Sequence, residues 1–249
     1  MIIPDAFSML QHAWLWSLLI LWALLLFGGF VLGPTRHNRR IPRWARLGSS
    51  AVLVLAGWSW AWFAAGSNAL PYARFMALGI TFGLLGDLFL ADLLWRSRSQ
   101  SVMAGMAAFA VGHLGYIAGI GWLARCGSWQ AAGPRWGALV LLWLVGIAGW
   151  YGMVIRGQSK IRTLHRVALP YALLLATTAG LALGLALQAV SFWPLALGAL
   201  LFLSSDLMLA GALFNEMSFP LIHDVVWLTY GPGQMLLVWS VAAALQLCR

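Results

Sequence analysis

Two aspartates lie where a carboxyl group is least expected, inside long apolar stretches of the chain. Asp87 occurs in ALGITFGLLGDLFLA and Asp206 occurs in LALGALLFLSSDLMLA. Each stretch is long enough to cross a bilayer, and a carboxyl group in hydrocarbon is costly. Acids are scarce in this chain, which has only six Asp and Glu residues among 249. Intramembrane acids usually have a function, so both aspartates are candidate catalytic residues.

A pair of carboxyl groups in a low-dielectric site can do acid catalysis. Such groups tend to share one proton, because both cannot ionise cheaply. One then donates the proton, while the other stabilises a cation and activates water, as in glycoside hydrolases. The sequence does not say which aspartate is the acid, since coupled groups titrate jointly. The alternative is structural, in which Asp87 and Asp206 only hydrogen-bond across helices.

The composition is that of an integral membrane protein. The chain is 62% hydrophobic and 8% charged, whereas a soluble domain averages about 25% charged residues. The formal charge of +9 does not indicate nucleic-acid binding, because the arginines fall in short loops where they set membrane orientation. No basic segment precedes the first apolar run, so we expect a retained helix. We expect a bacterial inner membrane from the compact chain.

Eight apolar segments have the length of a spanning helix, which needs roughly 20 residues. The predicted fold is therefore all-α, a single transmembrane domain over 1–249 with halves of about 1–125 and 126–249. The two aspartates are 119 residues apart and each occupies the third helix of a four-helix half, which predicts a parallel repeat. The predicted spans are about 12–33, 48–66, 72–94, 101–123, 136–155, 167–189, 193–214 and 223–247.

The basic residues predict the orientation of these spans. Eleven of the 15 lie in the loops after the first, third and fifth spans, which makes that side cytoplasmic and places both termini outside. Both aspartates then lie roughly 12–14 Å from the cytoplasmic helix ends. Asp92, four residues before Arg96, predicts a surface ion pair. Cys126 and Cys248 both face outside, where an oxidising compartment would permit a disulfide.

Other polar residues recur at helical spacing in the predicted spans. His113 and Tyr116 are three residues apart and share a helix face. In the last span a stripe of polar and aromatic side chains runs along one face. The stripe consists of His223, Trp227, Tyr230 and Gln234. The candidate supporting residues are His113, Tyr116, Tyr230, Gln234, Ser205, His223 and Asp224.

These candidates also have simpler interpretations. His113 could be a packed histidine with a satisfied ring, and the tyrosines and the glutamine could only pack helices together. His223 and Asp224 could lie at the membrane interface, where their charge is cheap. Ser205 is not in a Gly-x-Ser-x-Gly elbow, so a serine nucleophile is weakly supported.

No metal or cofactor is predicted. A zinc hydrolase needs three converging protein ligands, and only His113 is clearly intramembrane. A b-type haem usually needs two facing intramembrane histidines, and His113 is the only clear candidate in the sequence. Two cysteines do not make a thiolate metal site.

Four motifs resemble the YhhN family, the lysoplasmalogenase-like membrane proteins. They are GLLGDLFLA, FAVGHLGYIAG, LGALLFLSSDLMLA and the segment from Tyr230 to Gln234. They occur in the family's order and cover most of 78–240, although the Lys-Pro pair that the family usually carries near its early helices is absent. The resemblance implies about eight transmembrane helices. It also implies that Asp87 and Asp206 are the family's intramembrane aspartates, with His113 and Tyr116 as its His/Tyr pair.

The resemblance further implies an activity. The family hydrolyses the vinyl ether bond of lysoplasmalogens to a fatty aldehyde and glycerophosphocholine or glycerophosphoethanolamine. The expected partners are thus a lysophospholipid substrate and membrane lipids, with no nucleic acid and an oligomeric state that the sequence leaves open. A vinyl ether hydrolyses by protonation of its β-carbon and capture of the oxocarbenium ion by water, which suits two carboxyl groups. Arg96 or Arg98 would meet the phosphate at the cytoplasmic surface.

Two other classes of function remain open from the sequence. A proton-coupled transporter or lipid translocator would also use intramembrane aspartates in a parallel repeat. A structural or assembly protein would keep them as paired hydrogen-bonding groups. Bond cleavage distinguishes the hydrolase from the transporter, and loss of stability rather than turnover in Asp→Asn variants would indicate the structural role.

Overall fold

The computed structural model describes residues 3–35, 38–94, 97–158, 160 and 163–248. Throughout these residues the regular structure is helical, with no strand. The helices are α1 Met9–Leu32, α2 Arg43–Phe63, α3 Leu70–Leu90, α4 Arg98–Cys126, α5 Ala132–Ile155, α6 Thr163–Ala186, α7 Trp193–Phe214, α8 Ile222–Trp239 and α9 Val241–Leu247. A π-helical turn interrupts α1 at Leu24–Gly28, and another ends α5 at Tyr151–Ile155.

The helices begin where the local sequence provides a start signal. Ser8 caps α1 with a capping box, in which its hydroxyl accepts from the Gln11 N–H and the Gln11 side chain accepts from the Ser8 N–H. This exchange satisfies two otherwise unpaired donors. Pro71 and Pro194 lie in the first turns of α3 and α7, where proline's missing N–H removes no helical hydrogen bond.

Six of the helices are long and apolar enough to cross a membrane, namely α1, α3, α4, α5, α6 and α7. The prediction of eight spans stays a prediction for α2 and α8. Both are less apolar because they carry polar and aromatic side chains, among them Arg46, His223 and Tyr230, that face an internal cavity. The last predicted span, 223–247, is not a single helix, because the chain turns at Ser240 between α8 and α9.

The two halves of the chain pack their helices in the same order. In each half the first helix packs on the second, the second on the third, and the third on the fourth. Between the halves, α4 packs on α6 and α8 packs on α2. The helices α2, α3, α4, α6, α7 and α8 therefore form a ring, and α1 and α5 pack on its outside.

Each half also contains a close glycine crossing at the same position. Gly79 and Gly198 both precede the aspartate of their helix by eight residues. A Cβ at Gly112 would lie 2.9 Å from the Gly79 carbonyl oxygen, and a Cβ at Gly233 would lie 2.9 Å from the Gly198 carbonyl oxygen. Any side chain there would push the helices apart. This shared packing supports the predicted parallel repeat.

The ends of the two halves meet at a disulfide. Cys126 ends α4 and Cys248 follows α9, and their Cα atoms are 5.9 Å apart. The sequence separation is 122 residues, so the bond joins nearly equivalent positions of the two halves. Arg98, at the other end of α4, is 29 residues of helix away, a distance of roughly 42 Å.

Candidate functional site

Asp87 and Asp206 line one cavity of about 440 Å³. Asp87 reaches it from α3 and Asp206 from α7, and side chains of α2, α4 and α8 complete its wall. The two carboxyl groups therefore face the same space, although their helices belong to opposite halves of the chain. A small reacting group in this cavity would be accessible to both.

The Asp87 carboxylate is held by two hydroxyl groups. The hydroxyl groups of Ser50, on α2, and Tyr230, on α8, both donate to Asp87 Oδ2, at 2.6 Å and 3.0 Å. Gln234 fixes the tyrosine in turn, because its Nε2 donates to the Tyr230 hydroxyl at 2.6 Å. Asp87 is only 4% exposed, so this network sets the direction of its side chain.

Asp206 has a different set of neighbours. The Tyr171 hydroxyl, on α6, donates to Asp206 Oδ2. The Ser205 hydroxyl donates chiefly to the Phe202 carbonyl at 2.8 Å and reaches Asp206 Oδ1 only at 3.5 Å. Asp206 is half-buried, and one strong donor holds it where Asp87 has two.

Asp206 also borders a second space that Asp87 does not reach. This apolar groove lies between α4, α5, α6 and α7. Phe109 and Leu90 line both the groove and the cavity, so the two spaces adjoin at Asp206. The apolar groove is lined chiefly by Val102, Met106, Trp150, Ala168, Leu175 and Leu203.

The mouth of the cavity is basic. Arg39, Arg43, Arg46, Arg98 and His223 line it. Arg98 forms an ion pair with Asp92 at 2.9 Å, whereas the sequence predicted Arg96 as that partner, a residue outside the described ranges. For the other three arginines, no ion pair occurs with any described carboxylate. The sequence predicted a phosphate contact only for Arg96 or Arg98 and an orienting role for the other loop arginines, so the convergence of Arg39, Arg43 and Arg46 here is a new feature.

The sequence predicted Asp224 as a supporting residue of the site, but its side chain does not reach the cavity. Its carboxylate accepts the backbone N–H groups of Arg40 at 2.6 Å and Ile41 at 2.9 Å. The Asn38 side chain adds a second link between the same loops, since it accepts from the Leu221 N–H at 2.6 Å. Asp224 thus ties the loop between α1 and α2 to the start of α8.

His113 and Tyr116 lie behind the cavity wall. An aromatic layer separates them from it, with the Phe202 ring 4.6 Å from His113 and 5.1 Å from Tyr230. The His113 Nδ1 pairs with the Thr178 hydroxyl at 2.9 Å. Neither side chain lines the cavity, because their face of α4 points towards α3 and α6. His113 and Tyr116 therefore contact the aspartates only indirectly, through this aromatic layer.

The residues that sequence reasoning missed are mainly Ser50 and Tyr171. Each lies in the second helix of its half and donates to the aspartate in the third. The only sequence signal was a hydroxyl group in an apolar span, which does not show which way the helix faces. The predicted repeat offered one way to identify them, because a hydroxyl donor to one aspartate predicts a hydroxyl donor at the equivalent position for the other.

Comparison with known proteins identifies a family but no individual relative. No curated protein and no solved structure matches the chain. The model of the YhhN family matches residues 45–241. The match includes both aspartates, Ser50 and Tyr171, and it covers most of the chain. The chain therefore belongs to the YhhN family.

Proposed function

We propose that this protein hydrolyses the vinyl ether bond of a lysoplasmalogen, releasing a fatty aldehyde and a glycerophospholipid headgroup. Membership of the YhhN family supports a lysoplasmalogenase-like function at the family level. The observation that carries the proposal is that Asp87 and Asp206 line one cavity. That cavity adjoins an apolar groove and has a basic mouth, which suits an amphipathic substrate.

The two aspartates have separate roles in this proposal. The carbon that must be protonated is attached to the alkyl chain, so its acid should border the apolar groove. Asp206 does so and Asp87 does not. The two hydroxyl groups that donate to Asp87 Oδ2 hold its carboxyl group in place facing the cavity. Asp206 is therefore the general acid, and Asp87 stabilises the cation and activates water.

The reaction balances with one water and no external reagent. The Asp206 carboxyl gives its proton to the β-carbon, and the ether oxygen shares a lone pair to form the oxocarbenium ion. Water then attacks the α-carbon and passes a proton to Asp87, and a proton transfer between the carboxyl groups restores the starting state. The hemiacetal loses its hydroxyl proton as the bond to the glycerol oxygen breaks, and that oxygen is protonated.

The other polar residues position these groups. Gln234 and Tyr230 act in series on Asp87. Ser205 packs beside Asp206, and His223 lines the mouth. His113 and Tyr116 contribute by fixing the aromatic layer on which Tyr230 packs.

We also propose eight spans with both termini outside and the cavity mouth in the cytoplasm of a bacterial cell. Positive charge at the mouth favours that side, and a disulfide at the far end of α4 favours an oxidising compartment. These two signals are independent. A membrane-impermeant thiol reagent added to reduced, intact cells should label Cys126 or Cys248, and labelling that requires lysis would reverse the orientation.

The activity is tested with detergent-purified protein and a lysoplasmalogen in D₂O. We expect a fatty aldehyde with one deuterium at the carbon next to the carbonyl, because the proton that Asp206 delivers comes from solvent. In H₂¹⁸O the glycerol product should contain no label, since cleavage is between the α-carbon and the ether oxygen. A saturated ether lysolipid is the matched control and should not be cleaved. Flux of intact lysoplasmalogen across proteoliposomes without aldehyde would overturn the hydrolase.

A further inference from the structure

We propose that Arg39, Arg43 and Arg46 form a binding site for the phosphate of the lysophospholipid substrate, here called the arginine cradle. The proposal rests on the proposed hydrolase function and extends it to the recognition and orientation of the lipid. The phosphodiester would lie at the cavity mouth, the vinyl ether between the aspartates, and the alkenyl chain in the apolar groove.

The arginine cradle is built from two adjacent elements. Arg39 comes from the loop before α2, and Arg43 and Arg46 from the first turn of α2. Residues three apart share a helix face, and all three side chains line the cavity. The Nε atoms of Arg39 and Arg46 are buried with no hydrogen-bond partner among the described residues. These unpaired donors show that the described protein does not satisfy the two guanidinium groups fully, and phosphate oxygens in the cavity would give their charge a partner.

The described carboxylates near the mouth are already occupied. Asp92 pairs with Arg98, and Asp224 accepts backbone N–H groups at both of its oxygens. No described carboxylate forms an ion pair with the three arginines of the cradle, so the nearby charges of Asp224 and Asp87 offset theirs only in part. A ligand with a fixed negative charge and several oxygen acceptors fits, and planar guanidinium groups bind such oxygens in pairs.

The cradle is held in place before any ligand binds. The links that Asp224 and Asn38 make between the two loops fix the segment that carries Arg39. The Arg46 guanidinium lies 5.4 Å from the Trp227 ring centroid, a cation–π contact that limits its motion. These contacts reduce the ordering of Arg39 and Arg46 that ligand binding would require.

The spacing from the cradle to the aspartates matches a glycerol backbone. Arg46 is four residues before Ser50, which is about 6 Å along a helix axis. Ser50 donates to Asp87, so the reacting bond would lie about one helical turn deeper than the phosphate. In a lysoplasmalogen three glycerol carbons separate the ether oxygen from the phosphate oxygen, which spans a similar distance.

The test compares two substrates in Arg43→Gln and Arg46→Gln. For a lysoplasmalogen we expect KM to rise roughly tenfold or more in each variant, with kcat little changed, because each loses a charge-assisted hydrogen bond. For a 1-alkenylglycerol without phosphate, KM should equal that of the unaltered protein. Arg166→Gln is the matched control, since Arg166 is exposed on α6 and does not line the cavity. Equal effects on both substrates would overturn the proposal.

A binding measurement separates this proposal from the hydrolase itself. A saturated ether lysophospholipid should bind the unaltered protein, and its Kd should rise roughly tenfold in Arg46→Gln and partly recover in Arg46→Lys, which keeps charge but loses the fork. This result supports the cradle even if no substrate is cleaved. An unchanged Kd in both Arg46 variants overturns the cradle. Displacement of the lipid by inorganic phosphate at an equal concentration also overturns it, because that would indicate a site for soluble phosphate.

Discussion

Asp87 and Asp206 occupy the same position in two halves that pack alike, yet their surroundings differ. Asp87 is buried and receives two hydroxyl groups on one oxygen, from Ser50 and Tyr230. Asp206 is half-buried, has Tyr171 as its main donor, and borders an apolar groove that Asp87 does not reach. The two aspartates therefore have similar backbone positions but different chemical environments.

The difference between the two halves would suit the asymmetric substrate that we propose. A lysoplasmalogen has one charged end and one apolar end, so two identical half-sites would fit neither end well. In this protein the first half supplies the four arginines of the mouth and Asp87 with its donor Ser50, while the second half supplies Asp206, the proposed acid, beside the apolar groove. The close glycine crossings, in contrast, are alike in the two halves.

The largest effect should come from removing either carboxyl group. Asp206→Ala should lower kcat roughly 10³-fold, within the range that a lost general acid produces. Asp87→Ala should also lose activity, but azide should restore part of it, because an anionic nucleophile does not need a base. The azide dependence of substrate consumption measures this difference. Rescue of Asp206→Ala instead would exchange the two roles.

A smaller effect should follow from removing the tyrosine donors one at a time. Tyr230→Phe leaves Asp87 with Ser50 as its donor and leaves Gln234 without its acceptor. Tyr171→Phe removes the main donor to Asp206, whose carboxylate forms in the transition state. We expect each kcat to fall roughly tenfold, since a hydrogen bond to a charged group contributes about 1.5 kcal/mol or more. Normal kcat in Tyr171→Phe would mean that its bond to Asp206 has no part in turnover.

The glycine crossings test how alike the halves are in packing. In Gly198→Ala the new Cβ would lie 2.8 Å from the Gly233 carbonyl oxygen, and backbone cannot move aside easily. In Gly79→Ala it would overlap the Tyr116 ring, which is fully buried and has little room to move. We expect a loss of about 3 kcal/mol in unfolding free energy for each variant, as for overpacked cores. Thermal unfolding in detergent gives the comparison, and Gly121→Ala, at a position with open space around it, is the control.

The smallest effect on activity should come from the disulfide that joins the ends of the halves. Cys126→Ser should lower stability by about 2 kcal/mol, in the usual range for a lost disulfide, while kcat stays unchanged because the bond is far from the cavity. Reduction of the unaltered protein should give the same shift in unfolding temperature. A reductant that also destabilises Cys126→Ser would show that the shift has another cause.

Most of the helix positions could be predicted from the sequence, because the length of an apolar segment and the positions of prolines are local signals. The helices begin and end near the predicted positions, and both aspartates were identified from their cost in lipid. Helix rotation was the missing information, since a span faces lipid or protein according to its neighbours. That is why Ser50 and Tyr171 were missed and why His113 and Tyr116, although on one face as predicted, lie behind the wall.

The cavity mouth was harder to predict because it joins segments far apart in the chain. Asp224 was assigned to the site from its place beside His223, but its carboxylate binds a loop more than 180 residues away in sequence. The same contact brings Arg39 to the mouth. The interpretation of the loop arginines as orientation signals stays a prediction, and it gave no reason to expect that Arg39, Arg43 and Arg46 would converge on one cavity.

The central claim is that Asp87 and Asp206 act on the same bond, and a double-mutant cycle tests it most directly. Aldehyde release from a lysoplasmalogen would be measured for Asp87→Asn, Asp206→Asn and the double variant, with each checked for folding by thermal unfolding. Groups that act as a unit are strongly non-additive, so the double variant should be about as slow as the slower single variant. Losses that multiply, or full activity in both single variants, would contradict a shared reaction centre.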